Sequence, residues 1–409
     1  MPSHLTAIPL VINYGYKADW MLPHPSKLLK KELLLALQYR NRLYNIFISR
    51  WSSEDPGLLK ALDNAFPMLE TLSLINNYRY QVFLPNNFVA PRLRALHLRT
   101  FTIPMGHLSL TNATNLLSLR LEDTGYFPPG YLVECIASMP LLEDISLIFN
   151  QNAYDPNMLE WPRTQITRVV LPRLSRLQFV GIIHYLDNLL ARISTPLLQD
   201  IRFSVLLDES STLAVLRMSA FLGTIQNLDF RTAVVRFYRT SLSITYHPDQ
   251  AGGVPPYFSF NLDDLDRAEA FMVQIFSANA PALPVVERLD LEANCYSSGF
   301  MPQHTLWYTL LRSFGGVKTL RIDSRLATEL SDVLDPRNEA VTNELLPGLS
   351  ELVVVSREDL LQQPFSSFIH ARRLAGHSVD LRVIQYRPSL FHSPSISWSF
   401  GTFAEGFVC

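Results

Sequence analysis

Apolar residues recur along this chain in the spacing L-x-x-L-x-L, and Leu69-Glu-Thr-Leu72-Ser-Leu74-Ile-Asn-Asn77 is the fullest copy. Copies start at Leu43, Leu69, Leu93, Leu116, Leu142, Leu174 and Leu198, and after a gap at Val286, Val317 and Leu349. Successive starts lie 26, 24, 23, 26, 32 and 24 residues apart, then 31 and 32 beyond the gap. Asn fills the ninth position at Asn77, Asn150 and Asn294. The L-x-L core has the period of two that places both apolar side chains on one face of a strand. The pattern therefore predicts one short strand per copy.

One copy cannot bury its own apolar face, whereas stacked copies bury a continuous core. Most spacings fall inside or just above the window of about 20–29 residues typical of leucine-rich repeats. The fold class expected is α/β: a leucine-rich-repeat solenoid, a horseshoe with a parallel sheet on its concave face and helices on its convex face. It should occupy residues 1–382 as one domain. Residues 383–409 lack the spacing and read as a capping strand or a frayed tail.

The segments between copies are long enough for a helix each. Residues 27–37 read as one. Ser53-Glu-Asp-Pro56 has a capping Ser, acids in the first turn and an early Pro, with Leu58, Leu62 and Phe66 as its apolar stripe. Pro129 opens another, turning Leu132, Ile136 and Met139 inward. Residues 263–279 and the stripe Leu306, Leu310 and Phe314 complete the set. Periodicity blurs at about 205–285. There Val235-Arg-Phe237 and Leu242-Ser-Ile244 alternate like two strands joined by a short turn, and Asp249-Gln-Ala-Gly-Gly-Val-Pro-Pro256 reads as a loop. One or two degenerate repeats with an extended loop are expected. Residues 5–13 read as a strand with nothing before it to cap the stack, so a further N-terminal element is expected in a longer gene.

Composition narrows the class. Apolar residues make up 48% and charged ones 18%, enough for a sizeable core. The net charge of −2 argues against a general nucleic-acid binder, which usually carries a basic surplus. The three cysteines, Cys135, Cys295 and Cys409, form no disulfide framework, and no apolar run approaches the roughly 18 residues of a membrane span. These features point to a cytoplasmic or nuclear protein that uses no membrane.

Candidate chemistry is thin. Gly376-His-Ser378-Val-Asp380 imitates a nucleophile elbow without its last glycine. Gly315-Gly-Val-Lys318-Thr319 imitates a phosphate loop, but Val317 already begins a repeat. The histidines and cysteines make no zinc spacing. No enzyme activity, metal or cofactor is expected.

Recognition is instead expected on the strand positions that alternate with the buried leucines. The candidate partner-binding residues are His97, Arg99, Arg120, Glu122, Asp144, Arg176, Gln178, Arg202, Arg288, Asp290 and Arg321. Arg120, Asp144 and Arg176 should form a ladder across adjacent strands, and Glu122 should lie near Arg99. Two readings stay open. Either this face captures a partner, or it is a solvated face and binding uses the rims and the 205–285 loops. Mixed charge favours a protein partner, and the arginines are the better anchors. A monomer is expected.

Some segments carry a family resemblance. They are Ala7-Ile-Pro-Leu10, Phe66-Pro-Met-Leu69-Glu-Thr-Leu72, Ala90-Pro-Arg-Leu93-Arg-Ala-Leu96, Thr195-Pro-Leu-Leu198, Phe368-Ile-His-Ala-Arg372 and Ala375-Gly-His-Ser-Val379. Through them the chain resembles the leucine-rich-repeat region of basidiomycete-type fungal F-box proteins. In that family an N-terminal F-box docks on a Skp-type adaptor of a cullin ubiquitin ligase, and the repeats capture substrate. The resemblance implies a substrate-recognition module, with the adaptor as partner only where an F-box lies upstream. The alternative is a stand-alone scaffold or inhibitor of the same repeat type.

Overall fold

Among the described residues, a tight turn launches most strands of the repeat and ends on the first leucine of the motif. The amide of Leu69 donates to the carbonyl of Phe66 at 3.2 Å, Leu93 to Ala90 at 3.1 Å, and Leu116 to Ala113 at 3.0 Å. Leu142 donates to Met139 at 3.1 Å, Leu174 to Leu171 and Leu198 to Thr195 at 3.3 Å, and Leu349 to Leu346 at 3.0 Å. Proline stands at the second position of most of these turns: Pro67, Pro91, Pro140, Pro172, Pro196 and Pro347. Its fixed φ suits that position, and its missing N–H is not needed there. The x-Pro-x-Leu signature is thus a turn that sets strand register.

This computed structural model describes residues 9–14, 27–49, 56–76, 82–102, 113–149, 168–207, 217–218, 221, 231–238, 241–247, 257–262, 286–293, 304–335, 345–356 and 365–385. The chain divides into two compact units. The first holds residues 1–206 with 225–227, and the second holds 207–224 with 228–409. The expected helix at 263–279, the loop at 249–256, the cap at 53–55 and the tail beyond 385 lie outside the described residues.

The described strands of the first unit are β1 (Leu10–Tyr14), β2 (Leu43–Ser49), β3 (Thr71–Ile75), β4 (Val82–Phe83), β5 (Ala95–Arg99), β6 (Phe101–Thr102) and β7 (Ser118–Thr124). They continue with β8 (Asp144–Phe149), β9 (Val169–Val170), β10 (Arg176–Ile182), β11 (Ile193–Ser194) and β12 (Asp200–Leu207). The main sheet runs β1-β2-β3-β5-β7-β8-β10-β12, every neighbouring pair parallel. Short parallel pairs β4–β6 and β9–β11 stand apart from it. One bond pattern repeats where each strand begins. Glu70 O accepts from the amides of Arg94 and Ala95 at 2.8 and 3.0 Å, and Leu117 O from Glu143 and Asp144 at 2.8 and 3.0 Å. A single carbonyl thereby fixes two residues of the next repeat.

The apolar motif positions form the core. Ile46, Ile48, Leu72, Leu74, Leu96, Leu98, Leu119, Leu121, Ile145 and Leu147 are all buried. Each contributes roughly 1.5–3 kcal/mol against leaving it exposed. Helices α1 (Lys27–Ala36), α2 (Pro56–Leu62), α3 (Pro129–Ala137) and α4 (Ile183–Arg192) line this core. Leu58, Leu62, Phe66, Leu132, Ile136 and Met139 are buried as the stripes predict. The expectation of a helix in every connection fails between β3 and β5. The described residues there, 76 and 82–94, form the two-residue β4 and turns, and Pro85 and Pro91 interrupt any helical ladder.

An aromatic cluster fills the core beside β8 and β10. Tyr185 packs against Phe149, Phe179 and Tyr126 with ring centroids 4.6, 5.9 and 5.7 Å apart. The Tyr126 hydroxyl accepts from the Ile182 amide at 3.2 Å. A Cβ on Gly181 would lie 3.1 Å from both the Phe179 ring and the Tyr126 hydroxyl, so glycine is what lets β10 pass these rings.

The second unit contains β13 (Thr232–Phe237), β14 (Ser241–His247), β15 (Tyr257–Leu262), β16 (Arg288–Ala293), β17 (Thr319–Asp323), β18 (Glu351–Ser356) and β19 (Asp380–Gln385). Its helices are α5 (His304–Ser313), α6 (Ser324–Val333) and α7 (Ser366–Leu374). The order is β15-β14-β13-β16-β17-β18-β19. From β13 through β16 to β19 the pairs are parallel, whereas β13–β14 and β14–β15 are antiparallel. A wholly parallel sheet is thus corrected for this block. Only residues 238–240 join β13 to β14, far fewer than the dozen or so a parallel crossover needs. The hairpin read from the alternation of 235–237 and 242–244 is present, and β15 extends it. Leu306, Leu310 and Phe314 are fully buried. The Gly315-Gly-Val-Lys318 stretch is the turn before β17, and Gly376-His-Ser378 leads from α7 into β19.

The charged open face of the sheet

Strict parallel register lines up the polar strand positions of the first unit in three rows. The first row is Asn45, Thr71, Ala95, Ser118, Asp144, Arg176 and Asp200. The second is Phe47, Ser73, His97, Arg120, Ser146, Gln178 and Arg202, and the third is Ser49, Ile75, Arg99, Glu122, Ile148, Val180 and Ser204. Leucines on either side of each position hold the backbone, so these side chains emerge on the face opposite the apolar core.

Glu122 is the centre of one ion cluster. Its carboxylate takes the Arg120 guanidinium from its own strand, His97 Nε2 at 3.5 Å and Arg99 Nε at 4.0 Å. Burial alone would push the Glu122 carboxyl up, but the donors on His97 and Arg120 outweigh it and hold it at about 2. Ser73 Oγ lies 3.2 Å from His97 Nδ1, extending the line across β3, β5 and β7. The amides of residues 72–74 lie within the ladders β3 makes on both sides. Ser73 itself is buried, so its hydroxyl serves the histidine.

Asp123 joins this cluster by a change of backbone. A bulge separates Glu122 from Thr124 in the pairing of β7 with β8, and Asp123 has a φ of 50°. Asp tolerates this left-handed conformation better than most residues. Its carboxylate therefore meets Arg99 Nε at 2.9 Å. The L-x-x-L-x-L pattern ends before position 123, so this partner was illegible in the repeat alone.

A second set lies on β8, β10 and β12. Asp144 Oδ2 is 3.2 Å from Arg176 Nη2 and accepts from Ser118 Oγ at 3.4 Å. Arg202 closes a two-pronged pair on Asp200 of its own strand, at 3.1 and 3.2 Å. Burial raises the Asp200 carboxyl, against the pull of Arg202 and Arg176. Ser146 Oγ donates to Gln178 Oε1 at 3.1 Å. The expected Arg120–Asp144–Arg176 ladder is corrected: Asp144 aligns with Ser118 and Arg176, while Arg120 aligns with Ser146 and turns to Glu122. The physical reason is the period of two, which sets Arg120 and Asp144 in different rows. The proximity of Glu122 to Arg99 is present.

The second unit repeats the scheme. Arg288 grips Asp290 with Nε and Nη2 at 2.9 and 3.0 Å, and Arg321 Nη1 lies 3.9 Å from the same carboxylate. Arg236 reaches Glu292 at 2.7 Å, and Arg382 reaches Glu351 at 3.0 Å. Sequence reading passed over Arg236, because β13 lies in the irregular stretch, and Arg382, because β19 lacks the leading L-x-x-L. The alternation Val379-Asp-Leu-Arg-Val383 was the available signal. The predicted residues are thus gathered within each unit: His97, Arg99, Arg120 and Glu122 together, Asp144 with Arg176, Gln178 on Ser146, Arg202 on Asp200, and Arg288, Asp290 and Arg321 together.

Among the described residues, no helix is long and apolar enough to cross a membrane, and no three acids, histidines or cysteines are grouped to hold a metal. No protein-family model matches the chain, and no curated protein does. Among solved structures, the leucine-rich repeat-containing protein LegL7 from Legionella pneumophila is similar, at 13% identity and a TM-score of 0.25, over 69% of this chain and 91% of that one. The chain's own geometry defines an α/β protein of tandem leucine motifs, each giving a turn and a buried L-x-L strand, joined in large, mostly parallel sheets.

Proposed function

We propose that the chain is a leucine-rich-repeat solenoid that serves as a non-enzymatic protein-recognition module, with the open sheet face as its binding surface. The observation that carries this reading is the row register of the first unit. Polar and charged side chains from seven consecutive strands, β2 to β12, stand in rows on a backbone fixed by buried leucines. Arg120 and Arg176 are about half-exposed, and a single ion pair with so exposed a partner contributes only about 0–1 kcal/mol, so folding alone gives little reason to hold these two arginines on the face. Side chains held on a rigid sheet lose less freedom on binding than side chains on loops. The contact residues proposed are those of the two arginine-carboxylate sets, Arg120 and Arg176 foremost.

Within that reading, the resemblance to fungal F-box proteins supports a narrower role: substrate capture for a cullin ubiquitin ligase, in the cytoplasm or nucleus. A stand-alone scaffold or inhibitor is the alternative. Affinity capture from the source organism's lysate tests both levels. Baits are the chain, the chain extended by its upstream coding sequence, and an Arg120→Ala/Arg176→Ala variant. A Skp-type adaptor and cullin on the extended bait support the receptor role, and their absence removes it. A partner retained in full by the variant removes the open face as the binding surface.

A further inference from the structure

The carboxylates and guanidiniums of the open face differ in height. Side-chain exposure is 11% for Glu122 and 28% for Asp144, against 48% for Arg120 and 58% for Arg176. In the second unit Asp290, at 10%, lies below Arg288 at 44% in the same way, whereas Arg236 and Glu292 are level at 26% and 29%. At the two sites of the first unit the acid lies lower and Arg120 and Arg176 stand above it, whereas Arg99 and Arg202 lie nearly level with their acids. What a partner meets there is a pair of raised guanidiniums, although each is balanced in charge by its own acid.

We infer that the open face of the first unit takes an acidic peptide segment of a partner protein, whose carboxylates engage Arg120 and Arg176. The inference rests on the recognition reading above and adds the chemistry of the partner. A guanidinium carries five N–H donors in a planar fork. Arg120 commits Nε and Nη2 to Glu122, and Arg176 commits Nη2 to Asp144. Their remaining donors match a carboxylate. The two arginines sit on β7 and β10 with β8 between them. Two strand spacings across and a two-residue offset along the strands place their backbones about 12 Å apart, a span that two carboxylates of one extended segment can bridge. Glu122 and Asp144 hold the arginines upright beforehand, so less side-chain freedom is lost on binding. An acidic segment also meets little repulsion, because the resident carboxylates lie below and are already paired.

The test measures fluorescence anisotropy of fluorescein-labelled (Glu-Ala)4, (Gln-Ala)4 and (Lys-Ala)4 peptides with the full chain at low ionic strength. Saturable binding of (Glu-Ala)4 alone, weakened by salt, is expected. Arg120→Ala/Arg176→Ala should lose about tenfold or more in affinity. Arg120→Gln/Arg176→Gln, which keeps more of the aliphatic packing, should lose as much. Equal binding of (Gln-Ala)4, no binding of (Glu-Ala)4, or unchanged affinity in a folded variant overturns the inference. Tighter binding of a short single-stranded DNA than of (Glu-Ala)4 overturns it as well, and assigns the array to polyanions in general. If lysate capture depends on Arg120 and Arg176 while (Glu-Ala)4 fails to bind, the open face remains the recognition surface and only the acidic chemistry falls.

Discussion

His97 and Glu122 meet across adjacent strands with Nε2 and Oε2 3.5 Å apart, and Glu122 thereby joins His97 and Arg99 of β5 to Arg120 of β7. The glutamate is the anchor of this part of the face, because His97, Arg99 and Arg120 all converge on its one carboxylate.

That anchor makes stability depend on pH. The Glu122 carboxyl titrates at about 2 in the folded chain, below the ordinary value of 4.5. The unfolded chain binds the proton first as pH falls, so the contribution is full above about 4.5 and is lost between there and about 2. Glu122→Gln should flatten this acid limb and lower stability at neutral pH by about 1–3 kcal/mol, because Arg99, Arg120 and His97 lose their charged acceptor. Urea melts of both proteins from pH 2 to 7 check this. Parallel acid limbs in the two would place the titration elsewhere.

Leu72 and Leu119 carry the stack. Both are buried in the row of leucines that continues from strand to strand. Leu72→Asp or Leu119→Asp places a charge in that shared core and should unfold several repeats, a loss of about 4 kcal/mol or more. Circular dichroism melts decide the matter, and near-native melting of both variants would mean that the register is wrong.

Thr114 occupies the turn position that Pro67, Pro91, Pro140, Pro172 and Pro196 fill in other repeats. The turn is the same, with Leu116 donating to Ala113 at 3.0 Å. Thr114→Pro should therefore stabilise the first unit by about 0.4–1 kcal/mol, by restricting the unfolded chain. Differential scanning calorimetry measures the gain. A lowered midpoint would show that this turn differs from its counterparts.

Arg372 closes the last repeat of the second unit. It is buried on α7, where Nη2 donates to Leu346 O at 2.9 Å and Pro347 O at 3.1 Å. The Phe368 ring lies beneath the guanidinium, 5.8 Å from its carbon. The turn it holds is under backbone strain, since Leu346 has a φ of 50°. Arg372→Met keeps most of the bulk but leaves two carbonyls without this donor, at about 1.5–3 kcal/mol. Limited proteolysis should find faster cutting near residues 345–350, with the first unit unaffected. An unchanged digestion rate would remove this role.

The repeat pattern specifies the strands and their order along the chain. A repeat of L-x-x-L-x-L can bury its leucines only by stacking, and each x-Pro-x-Leu turn fixes where a strand starts, so Leu69 to Leu74 already placed Thr71, Ser73 and Ile75 on the opposite face. The alternation in 235–237 and 242–244 likewise gave the hairpin, because a link of residues 238–240 permits only antiparallel return. Tertiary structure decided the pairing of charges. Arg120 could have turned to several acids, and register plus the bulge at Asp123 directed it to Glu122 and gave Arg99 its second partner. The height of Arg120 above Glu122 and of Arg176 above Asp144 also belongs to the fold, because exposure depends on which side chains neighbouring strands bring alongside, and a period of two in one strand carries no information about the next.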